Sequence, residues 1–104
     1  MKKSVSFLSA ACLVLFTMLP VQAEEASIEL GHTLFNDAGL GASKNDTTCN
    51  TCHANGEGLE KAGAREDLAA LINKCIKGPL QGEGINEETV AMQALKLYIQ
   101  SLAK

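Results

Sequence analysis

The sequence predicts an all-α domain, and three observations carry that expectation. No stretch alternates apolar and polar residues with the period of a strand. Three segments place apolar residues at helical spacing, separated by loops rich in Gly, Asn, Asp and Ser. One short motif, Cys49-Asn50-Thr51-Cys52-His53, supplies two thiols and an imidazole within five residues, an anchor around which such helices can close.

The first element is not expected to belong to the fold. Lys2 and Lys3 precede a mostly apolar run, Val5 to Leu19, and Val21-Gln22-Ala23 follows Pro20. This is the pattern of a secretory signal peptide cleaved after Ala23. The expected plan is residues 1–23 removed and 24–104 forming one domain in a periplasmic or equivalent compartment. The apolar run is too short for a comfortable membrane span, so no stable membrane anchor is expected. Without it the chain keeps seven bases against twelve acids, a formal charge of −5 in place of −3. That balance argues against nucleic acid or an anionic membrane as partner. Only two aromatics remain, Phe35 and Tyr98. A domain this small buries only about 60% of its unfolded surface. A bound group is therefore expected to supply apolar volume that the side chains do not.

Glu24 to about Asn36 reads as the first helix, with Ile28, Leu34 and Phe35 near one face and Glu24, Glu25 and Glu29 in its early turns. Asp37 to Thr48 is a loop by composition, and His53 to Gly63 is irregular or a short helical turn. A second helix is expected over Arg65 to Ile76, where Leu68, Leu71, Ile72, Cys75 and Ile76 form a single stripe and Gly78-Pro79 ends it. Asn86 suits the N-cap of a last helix reaching about Leu102, with Val90, Ala91, Ala94, Leu95, Tyr98 and Leu102 as its apolar face.

Cys-x-x-Cys-His is the attachment signature of c-type haem. Two thiols at this spacing reach the vinyl groups on one side of a porphyrin, and the next residue sets an imidazole under the iron. A thioredoxin-like redox pair would need a βαβ pattern, which is not present. A zinc site would need a second ligand pair. A plain disulfide would leave the weak core unexplained. One covalent haem c, joined through Cys49 and Cys52 with His53 as proximal ligand, is therefore expected.

The layout resembles class I c-type cytochromes across nearly all of residues 24–104. Gly31-His32-Thr33-Leu34-Phe35 is similar to that family's first-helix Gly-x-x-Leu-Phe, and Leu97-Tyr98-Ile99 with Ser101-Leu102 to its closing Tyr-Ile-x-Ser-Leu. The resemblance implies a cytochrome c fold, three main helices around one haem, with the first and last crossing at Gly31.

The second iron ligand departs from the common pattern. Met92 is the only methionine after the haem motif, and it sits inside the last helix, where it reads as a core filler. Cys75 lies on the stripe of the second helix and is the thiol left over after attachment. Thiolate is an established axial ligand. Lys74 and Lys77 are expected to favour the thiolate, whereas the nearby helix C-terminus opposes an anion. An inert buried thiol and an intermolecular disulfide are the plain alternatives. The stretch Ile72-Asn73-Lys74-Cys75-Ile76-Lys77-Gly78-Pro79-Leu80, with Met92-Gln93-Ala94-Leu95, is similar to the segment around the axial cysteine of thiosulfate dehydrogenase and of the SoxA subunit of thiosulfate oxidation. It is also similar to small exported His/Cys-ligated cytochromes such as the NaxLS heterodimer. The resemblance implies that Cys75 binds iron, with Met92 the lesser alternative. His32, before the motif, reads as a surface residue.

The expected function is low-potential electron transfer, because an anionic thiolate stabilises ferric iron and methionine does the reverse. Alternatives are a redox-sensing or gas-binding module taking NO or CO, and an ordinary His/Met carrier using Met92. An enzyme is not expected: one haem motif handles one electron where thiosulfate coupling needs two, and Arg65 is the only arginine. The expected partners are a redox protein with a basic docking patch and, by resemblance, a second small c-type cytochrome in a heterodimer.

Overall fold

A computed structural model describes residues 25–104, so the expected signal peptide lies outside the described residues. Those residues form four α-helices joined by loops and short 3-10 turns, with no strand among them. The helices are α1 (Ile28–Phe35), α2 (Cys49–Cys52), α3 (Leu68–Lys77) and α4 (Val90–Ser101). The all-α class and the three main helices are as expected, and the architecture is that of a cytochrome c fold.

The boundaries differ where caps compete with charge patterning. α1 starts at Ile28 because the Ser27 hydroxyl accepts from the Leu30 amide at 3.0 Å, which leaves Glu25 ahead of the helix. α3 starts at Leu68, three residues later than expected, because Arg65 instead grips Asp67 through two hydrogen bonds of 2.8 and 3.0 Å in the preceding turn. Thr89, not Asn86, caps α4, its hydroxyl accepting from the Met92 amide at 3.2 Å. Asn86 acts one turn earlier, accepting from the Glu88 amide at 2.8 Å. The helical turn α2 was not expected. Thr48 and Thr51 form a reciprocal capping box around it, each hydroxyl accepting from the other residue's amide.

The scaffold is the crossing of α1 on α4. Gly31 lies directly against the backbone of Ala94, and a β-carbon there would collide with the Ala94 carbonyl and with Cβ of Tyr98. Phe35 and Tyr98 pack beside the crossing with ring centroids 5.0 Å apart. The His32 ring is exposed and tilts against the outer side of Tyr98 at 5.3 Å. This crossing also sets the rotation of α4. Its buried residues are Met92, Ala94, Leu95, Tyr98 and Ile99, whereas Val90, expected on the apolar face, is 38% exposed. Among the described residues no helix is long and apolar enough to cross a membrane.

Candidate haem site

α2, α3 and α4 enclose a cavity of about 220 Å³. Leu95 and Ile99 contribute one wall from α4, and Leu68, Leu71, Ile72 and Cys75 contribute the facing wall from α3. Four of the five stripe residues of α3 thus face the cavity; Ile76, the fifth, is fully buried behind it. Phe35, Leu59 and Ala62 complete the hydrocarbon lining, and Cys49 and His53 enter from α2 and its end.

The attachment segment is held from several sides. The capping box fixes α2 so that Cys49 faces inward, only 8% exposed, while Cys52 lies at the surface. The His53 amide closes the turn on the Cys49 carbonyl at 2.9 Å. Asn50, one of the two variable motif positions, accepts from the Asn55 amide at 2.8 Å and restrains the chain beyond His53.

The orientation of His53 follows from one bond. Its Nδ1 lies 2.9 Å from the Glu57 carbonyl oxygen. A carbonyl only accepts, so Nδ1 carries the proton and Nε2 keeps its lone pair free for a metal. Gly58 permits this arrangement: its φ of +87° turns the chain so that the Glu57 carbonyl points back at the ring. No side chain advertises this partner in the sequence. The only hint was the glycine on each side of Glu57.

The thiols are distinguishable by their surroundings. Burial first, and then the neighbouring Cys75, push the Cys49 thiol up to about 11. Cys75 is also raised, first by its partial burial and then by Cys52. Lys74 and Lys77 do not lower it, contrary to the sequence-based expectation. Both lie exposed on the outer side of α3, beside Asn73 and Glu87, while the thiol turns inward. An anion at Cys75 therefore needs a cation inside the cavity rather than beside the helix.

Met92 is fully buried and is not among the cavity-lining residues. The loop between α3 and α4, where a ligand could also be carried, contributes nothing to the lining; it packs on α3, Gly41 and Lys44 instead. Of the expected site residues the structure brings Cys49, His53 and Cys75 to one cavity, leaves Cys52 exposed outside its lining, and leaves Met92 in the core.

The cavity fits a haem by its donor set. An apolar cavity lined by an imidazole with a freed nitrogen and by the Cys49 and Cys75 thiols, with Cys52 exposed nearby in the same helical turn, matches a flat apolar ring with an axially ligated centre. Among the described residues no group of three or more His, Cys, Asp or Glu side chains is arranged to hold a bare metal ion. No curated protein and no solved structure gives a significant match to the chain. One family does match, over residues 25–103: the di-haem cytochrome c peroxidases.

Proposed function

The chain belongs to the di-haem cytochrome c peroxidase family, and on that premise we propose that it is an exported c-type cytochrome that carries single electrons through one covalent haem with His53 and Cys75 as axial ligands. The observation that carries this reading is the cavity lining. Cys49, His53 and Cys75 supply its only metal-donor atoms, and every other lining residue is hydrocarbon.

A bound haem would supply a one-electron iron couple. The residues of this chain do the rest. Cys49 and Cys52 hold it by thioethers. His53 offers Nε2 because Glu57 takes the Nδ1 proton. Cys75 would contribute a sulfur whose negative charge, set beside Leu68, Leu71 and Ile72, is only partly screened by water. That charge favours the ferric state and lowers the potential. The same hydrocarbon walls would limit the approach of water to a bound haem.

The family is di-haem, whereas this chain carries one Cys-x-x-Cys-His motif. Pairing with another small c-type cytochrome, as a source of a second haem, belongs to this reading as a proposal.

The first experiment is the optical and EPR spectrum of the haem-loaded protein beside Cys75→Ala. A ferric thiolate signature that disappears in the variant supports the reading; a methionine-type near-infrared band that survives it sinks the reading and transfers the ligand to Met92.

The family name favours a second reading, peroxide reduction. Splitting peroxide calls for a proton donor and acceptor beside the reacting oxygen, and the cavity wall offers only the thiols and His53. Peroxide turnover assayed with and without a partner cytochrome separates the readings. Carbon monoxide binding to the reduced protein separates the electron carrier from a gas-binding module.

A further inference from the structure

Cys75 sits in the last turn of α3, where a helix is ordinarily weakest because its final carbonyls lack partners. Here the following loop wraps back and fills three of the four in succession. The Gly78 amide donates to the Lys74 carbonyl at 3.0 Å, the Leu80 amide to the Cys75 carbonyl at 3.3 Å, and the Gly82 amide to the Ile76 carbonyl at 2.7 Å. The wrap ends at Asn73. Its Oδ1 accepts from the Ile85 amide and its Nδ2 donates to the Ile85 carbonyl, both at 2.8 Å. Asn73 is thus the one side chain of α3 that grips the far end of the loop, and it grips it at two points.

We propose that Asn73 is a positioning residue for Cys75: by clamping Ile85 it keeps the loop wound on the last turn of α3 and so holds the thiol on the cavity wall. The proposal rests on the reading of Cys75 as an iron ligand. Its physical core is rotational. An α-helix turns about 100° per residue, so unwinding the last turn by one residue would carry the thiol off the wall. The apolar contacts of Ile76 and Leu80, both fully buried, resist lifting of the loop. They are non-directional and do not fix its register along the helix. The paired hydrogen bonds of the amide do, because donor and acceptor must each face their own partner.

The test compares haem-loaded wild type, Asn73→Ala and Ser27→Ala by EPR and by midpoint potential. Ser27 caps α1, away from the cavity wall, so its loss weakens the fold without touching α3. Wild type and Ser27→Ala are expected to give one low-spin ferric thiolate species at the same potential. Asn73→Ala is expected to give a second ferric species and a raised potential. One unchanged species at an unchanged potential in Asn73→Ala overturns the inference and leaves the Cys75 reading intact. Absence of a thiolate signal in wild type removes that reading, and the inference with it. Should Asn73→Ala fail to accumulate with haem, Asn73→Asp, which keeps the acceptor for the Ile85 amide, is scored in the same way.

Discussion

Cys75 and Met92 are both sulfur residues on buried helix faces, and their surroundings give them opposite roles. Cys75 is half-buried at the cavity wall, whereas Met92 is closed in on every side. Two outcomes are expected at this scale. Cys75→Ala should abolish the ferric thiolate spectrum and raise the midpoint potential. If the thiolate favours ferric iron by ~10⁵, the rise is roughly 300 mV, at about 59 mV per tenfold; a spectroelectrochemical titration reads it. Met92→Leu nearly conserves volume in the core, so it should cost less than about 1.5 kcal/mol in urea unfolding and leave the haem spectrum unchanged. Cys75 was legible in the sequence because periodicity alone puts it on the stripe of α3. The environment of its thiol was not legible. Lys74 and Lys77 are sequence neighbours, but the helix turns them outward, so nearness along the chain misjudged the charge that Cys75 meets.

At the scale of elements, two short features fix the site. The capping box of α2 orients the attachment pair, and the Gly31–Ala94 contact sets the distance between α1 and α4. Gly31→Ala should destabilise the protein by about 1–3 kcal/mol, measured by denaturant midpoint. Glycine to alanine in an open helix would instead gain up to about 1 kcal/mol. The collision with the Ala94 carbonyl decides the sign, since a backbone atom cannot rotate away. The existence of α1, α3 and α4 followed from apolar spacing, and Gly31 from the resemblance of its motif. What escaped was the local competition. Ser27 moved the start of α1 past Glu25, Thr89 replaced Asn86 as the cap of α4, and the Arg65–Asp67 fork delayed α3 to Leu68. The Thr48/Thr51 spacing was open to inspection as a capping box, but four residues are too few to show periodicity. The wrap of the 78–85 loop could not be read at all, because it is made almost wholly of backbone bonds.

For the molecule as a whole, attachment changes which protons matter. In the haem-free chain the Cys49 thiol is held at about 11, against 9.0 for an unburied thiol. The folded state therefore binds that proton more tightly than the unfolded state. Its stabilisation is complete below pH 9 and is lost as the pH rises toward 11. The loss is about 2–3 kcal/mol at most, a large part of what so small a domain has. As a thioether Cys49 has no proton to release. Far-UV circular dichroism across pH 8 to 11 should show the haem-free chain losing helix while the haem-linked protein keeps it.

The crossing of α1 on α4 also governs timing. It joins the two ends of the domain, with the attachment pair between them. During synthesis Cys49 and Cys52 emerge well before α4, and α1 has nothing to close against until α4 follows. Because this contact links distant parts of the chain, it is slow to form. The thiols stay reachable by whatever joins them to haem until the last helix arrives and the clasp shuts.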